Sequence, residues 1–87
     1  MPKRKKVDFF EENFDNFSVP IPWDCFVAVL KRKGFEEGKS SGGSTCIFVC
    51  GNERLTVHKP HGGDNIVSKF SRERAIEAIE RIRGENS

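Results

Sequence analysis

Residues 45–58 read TCIFVCGNERLTVH. Ile47, Phe48 and Val49 are β-branched or aromatic, Gly51 and Asn52 form turns, and Leu55 to Val57 return to strand composition, so the segment predicts an antiparallel hairpin. Loop length decides what each side chain sees, because a slip of one residue moves every side chain to the other face. A two-residue Gly51–Asn52 turn puts Cys46, Phe48 and Cys50 on the face of Leu55 and Val57. An odd-numbered loop puts Ile47 and Val49 there and turns Cys46 outward, across from His58. The hydrophobic pattern accommodates both.

Before the hairpin, EEGKSSGGS (36–44) reads as a flexible turn or a weak edge strand. The preceding helix starts at Pro22, which suits a first helical position. Its buried face is Trp23, Phe26, Val27 and Leu30, widened by Ala28 and Val29, with Cys25 as packing. Lys31, Arg32 and Lys33 suit the negative end of the dipole. Gly34 suits a left-handed cap that folds Phe35 back. Further upstream, Asp8 and Glu11 have capping-box spacing, and Phe10, Phe14 and Phe17 form one stripe of a short helix. That stripe packs on the protein's own core or on another chain. SVPIP (18–22) is a stiff linker.

After the hairpin come a KPHGGDN loop, a possible short strand in IVSKF, and a closing helix with Ser71 as N-cap. Ala75, Ile76, Ile79 and Ile82 mark its buried face, and Glu77 and Arg81 are spaced as an i, i+4 pair. The order predicts an α+β sandwich, with helices on one face of a small antiparallel sheet and an extra short helix at the N-terminal end. The other face is left open to a ligand. The divisions expected are a basic disordered arm over 1–7, a short helix and proline-rich linker over 8–21, and the main domain over 22–84.

With 87 residues, the chain accommodates one small core. Charged residues at 32% against 36% hydrophobic ones argue for a globular domain. No apolar run approaches the roughly 20 residues needed to cross a bilayer, so no membrane role is expected. The basic PKRKK start has no apolar stretch behind it, so no secretory signal is expected either. Three cysteines, an odd number, argue for free thiols in a reducing cytoplasm. A net charge of +2 is too small to imply nucleic acid by itself.

Cys46, Cys50, His58 and His61 resemble a zinc ligand set on paper. Four strand steps hold the two thiols roughly 13 Å apart. That separation prevents both a shared ion and a disulfide, so neither a metal nor any other cofactor is expected.

From Pro22 to about Ile82 the chain resembles the HicA family of toxin–antitoxin modules. KRKGF, GGSTCIF, LTVHKPH and ERAIEAIERI follow in the family's order and spacing. The resemblance implies a double-stranded-RNA-binding-like α-β-β-β-α fold and the activity of a metal-independent mRNA interferase, an endoribonuclease and thus a hydrolase. It also implies a HicB-type antitoxin as partner. Family toxins carry a catalytic histidine two residues after a Gly-Ser pair. Here Gly43 and Ser44 are followed by Thr45 and Cys46, so Cys46 stands in that place, and the resemblance implies that it faces outward. His61 matches a second family histidine, and His58 is a variant feature. The catalytic candidates are therefore His61, His58 and Cys46.

Lysines at loops and at a helix start suit the phosphates and 2′-hydroxyls of helical RNA. Lys39, Lys59, Lys69 and Arg72, with Gly43 and Ser44 of the matched loop, form the candidate RNA-binding set. Two other roles fit the same residues. One is a double-stranded-RNA-binding module that does not cut. The other is a protein-interaction module, such as a homodimer through the phenylalanine stripe.

Overall fold

In a computed structural model, which describes residues 6–38, 45–60 and 65–85, the hairpin takes the two-residue turn. Strands β2 (Thr45–Cys50) and β3 (Glu53–His58) pair with Cys50 opposite Glu53, Phe48 opposite Leu55 and Cys46 opposite Val57. Gly51 has φ 59° and Asn52 keeps a negative φ. A positive φ at the first turn residue alone is the II′ pattern, whose twist matches that of the strands and which favours glycine there. Phe48, Leu55 and Val57 are consequently buried together on one face. Thr45, Ile47, Val49, Arg54, Thr56 and His58 share the other, which contributes nothing to the core. The outward Cys46 implied by the family resemblance is not what the register gives.

The weak edge strand is present as β1 (Glu36–Glu37), antiparallel to β2, and completes a sheet of order β1-β2-β3. Gly38 N–H extends that ladder to the Ile47 carbonyl at 2.7 Å.

Helix α2 (Trp23–Arg32) starts one residue later than expected, with Pro22 at its extended N-cap. Trp23, Phe26, Val29 and Leu30 are buried, while Val27 is only half-buried. At its end Gly34 has φ 101° and Phe35 N–H returns to the Leu30 carbonyl at 3.0 Å. This Schellman closure drives Phe35 into the core.

The possible strand in IVSKF is a single bridge, Pro22 to Ile66. Trp23 N–H donates to the Asn65 carbonyl and Val67 N–H to the Ile21 carbonyl, joining the approach to α2 to the approach to the last helix. That helix, α3 (Lys69–Glu85), begins before the expected start. Ser68, not Ser71, is its cap, accepting from Ser71 N–H at 3.2 Å. Both serines suit the role by type, and burial decides between them, since Ser71 is 1% exposed. Ala75 and Ala78 make the close contact, with Ile76, Ile79 and Ile82 half-buried beside them. Arg81 reaches Glu53 on β3 at 2.6 Å instead of pairing with Glu77.

The N-terminal segment departs furthest from expectation. Helix α1 (Lys6–Glu12) takes in the last two residues assigned to the arm, and Val7 packs on the core. Phe14 lies in the turns beyond α1, buried and stacked on Phe26 with ring centroids 5.6 Å apart. Phe17 is exposed, with the Arg72 guanidinium 5.0 Å and the Lys69 ammonium 5.4 Å from its ring. Phe10, Phe14 and Phe17 therefore do not form one docking stripe.

Asp8 and Glu11 do not act as a capping box, because α1 begins two residues before Asp8. Both carboxylates bind Arg32, and Glu11 also meets Lys33 at 2.9 Å. The hydrogen bond from Lys33 and then that from Arg32 hold the Glu11 carboxyl below the usual carboxylate range, against the opposing effect of burial. A depressed folded value adds stability above the unfolded pKa and loses it as pH falls through the folded one. Acid titration should show a larger loss in wild type than in Glu11→Gln, which keeps the Asp8–Arg32 pair, the difference being below about 1 kcal/mol and smaller at high salt. Equal acid profiles would remove the clamp from the stability of α1.

Candidate nucleic-acid interface

The uncovered face of the hairpin brings two polar residues from opposite strand ends together. Thr45 opens β2 and His58 closes β3, and they lie directly opposite each other. Thr45 Oγ1 is 3.4 Å from His58 Nδ1. If the hydroxyl donates, the imidazole proton is on Nε2; if Nδ1–H donates, Nε2 is a free base. In both cases the contact engages Nδ1 and not Nε2. His58 and the following Lys59 are exposed.

Cys46 lies on the opposite side of β2. It is half-buried against the core, opposite Val57. Burial, with the Glu37 carboxylate second, pushes its thiol pKa up, and Lys59 only partly offsets this. A thiol harder to ionise than usual is a poor base and a poor nucleophile. Cys46 and Cys50 share the core face with Phe48 between them, whereas His58 is on the other face, so these three do not converge on one ion. All three cysteines are free thiols.

Of the remaining candidates, Lys69 projects from the first turn of α3, 3.9 Å from Glu73. Lys39, Gly43, Ser44 and His61 lie outside the described residues. Arg72 is a correction, because its side chain does not reach the surface. It is 3% exposed, and its two terminal nitrogens, though not the buried Nε, donate to backbone carbonyls. Nη1 donates to Val19 at 2.7 Å, and Nη2 donates to Asn13, Phe14 and Asn16 at 2.9–3.1 Å. Burial lowers its pKa and Asp15 opposes that. An arginine nevertheless stays charged, and here the carbonyl dipoles take the place of water.

Sequence reasoning did not single out Thr45 as the partner of His58. The signal was available in the Gly51–Asn52 turn, since an even loop makes residues 45 and 58 opposite. No family model, curated protein or solved structure matches the chain.

Proposed function

We propose that the chain is a HicA-like, RNA-binding protein of the toxin type, contacting RNA on the open face of the hairpin, with a HicB-type protein as its partner. The observation that carries this reading is the pairing of Thr45 with His58 on a sheet face that gives nothing to the core, with the exposed Lys59 next along the chain beyond the strand end. The order helix, three antiparallel strands, helix supports a double-stranded-RNA-binding-like arrangement.

Attack by a 2′-hydroxyl on the adjacent phosphate needs a base for its proton and an acid for the leaving oxygen. Histidine as a residue type can do either near neutral pH. His58 is the described residue placed for that work, held by Thr45, while Lys59 contributes positive charge to a bound phosphate. Cys46 takes no part, since its thiol lies on the core side of the sheet and burial disfavours its ionisation.

The test is a structured RNA hairpin titrated with purified protein at several salt concentrations in the presence of chelator. Binding should weaken with salt, and Lys59→Ala should reduce the logarithmic salt slope by about one. Cleavage should vanish in His58→Ala and persist in Cys46→Ser. Binding that ignores both salt and Lys59 overturns the reading. Salt-dependent binding with no cutting by wild type assigns the face to a double-stranded-RNA-binding module that does not cleave.

A further inference from the structure

A groove of about 360 Å³ runs between β3 and α3. One wall is the outer edge of β3, the last strand in the sheet. With a two-residue turn, the residues flanking the turn exchange hydrogen bonds, and bonded and non-bonded pairs then alternate along the ladder. Glu53, Leu55 and Val57 therefore bond to β2. Arg54, Thr56 and His58 direct their N–H and C=O groups away from it. Among the described residues, no backbone hydrogen bond reaches those groups. An open edge of this length is a template for another strand.

The opposite wall is α3. Phe70 is 58% exposed there, with the Arg74 guanidinium 4.8 Å from its ring. Two charges lining the groove are already matched, Arg81 by Glu53 and Glu73 by Lys69. Arg54, Arg74 and Glu77 have no ion-pair partner among the described residues, which leaves the groove net positive.

We propose that this groove receives an extended, acidic peptide segment of another protein, added as a fourth strand along β3. Its backbone would satisfy Arg54, Thr56 and His58. Side chains alternate across a strand, so apolar ones at every second position pack on Phe70, and acidic ones between them meet Arg54. An exposed ring beside an arginine also suits an unstacked base. A nucleic-acid strand, however, has no row of N–H and C=O groups at strand spacing to pair with the edge of β3. The proposal does not depend on RNA binding, which was placed on the open sheet face and Lys59.

The experiment pans a phage-displayed library of random dodecapeptides against the full chain. It then titrates a selected synthetic peptide into nitrogen-15-labelled protein. The expected peptides combine acidic and β-branched residues and shift the amide signals of Arg54, Thr56 and His58. Phe70→Ala and Arg54→Glu, both at exposed positions, should each weaken binding by about tenfold or more. N-methylation at one alternating set of peptide residues should abolish binding, while methylation at the other set leaves it, as strand pairing requires. The proposal is overturned by peptides no tighter than about 1 mM, by unchanged affinity in both variants, or by equal effects of the two methylation sets. It is also overturned if a single-stranded RNA decamer, and not the peptide, shifts those amides.

Discussion

Arg72→Met should unfold much of the population under conditions where the wild type is folded. One guanidinium serves four carbonyls, those of Asn13, Phe14, Asn16 and Val19. Nη2 has two hydrogens for three of them, so at least one bond is shared. A methionine of similar length fills the space but donates nothing, which strands buried acceptors at about 1–3 kcal/mol each. The turns between α1 and α2 exist in this shape because the carbonyls converge on that cation. The total loss should be about 3–5 kcal/mol, the usual scale for removing one partner of a buried charged network. A domain of this size has little more than that in reserve. Arg72→Lys should recover only part of it, because an ammonium presents its donors from one point and not as a planar fork. Urea denaturation followed by circular dichroism measures both variants. A methionine variant within about 0.5 kcal/mol of wild type, the range of ordinary surface changes, would show that the network carries no net stability.

Phe26→Ala should have an effect of the same size. Phe26 is fully buried between two rings, stacked on Phe14 on one side and Trp23 on the other, each with centroids 5.6 Å away. Trp23 in turn touches Phe48 at 6.3 Å. Removing the middle ring breaks the line from the N-terminal turns through α2 to the sheet and leaves a cavity that rigid neighbours cannot fill. Such truncations cost about 3–5 kcal/mol. Phe26→Leu should lose less. Trp23 is the only tryptophan in the sequence, so its fluorescence reads the site directly. An alanine variant with wild-type midpoint and emission would mean that Phe26 is not part of the core. Because Arg72 fixes the Phe14 carbonyl and Phe26 packs on its ring, the double variant should lose less than the sum of the single losses.

The fold was legible where local chemistry and burial agree. The Gly34–Phe35 closure of α2 and the hairpin itself follow from residue type and spacing, whereas Glu36–Glu37 read equally as turn or weak edge strand. The hairpin register was half-legible. The hydrophobic pattern allowed two solutions, and the preference of Gly51 for a positive φ at the first turn position distinguishes them. The family resemblance pointed to the other register for Cys46, and the sheet places Thr45 outward instead.

Two features were invisible because they depend on contacts distant in sequence. Phe10, Phe14 and Phe17 have helical spacing, yet the chain leaves the helix before Phe14, since the convergence of its carbonyls on Arg72 competes with helix continuation. Arg72 itself looks like a surface cation at a helix start, the reading given to Lys69. Nothing nearby in sequence marks one as buried and the other as exposed. At the candidate interface, residue type singled out His58 as a candidate but not its contact with Thr45, because a Thr–His contact across a hairpin follows only from register.

The Arg72 network also bears on the order of events during synthesis. The carbonyls it binds lie 53–59 residues earlier in the chain. On a ribosome the segment carrying Phe14 and Val19 emerges early and cannot take its final shape until Arg72 follows. Until then its rings and turns are available to chaperones, proteases or a partner protein translated nearby. The closing helix therefore acts as a latch on a segment made long before it. A nascent chain stalled ahead of Arg72 should be cut readily between α1 and α2, and one released beyond α3 should resist.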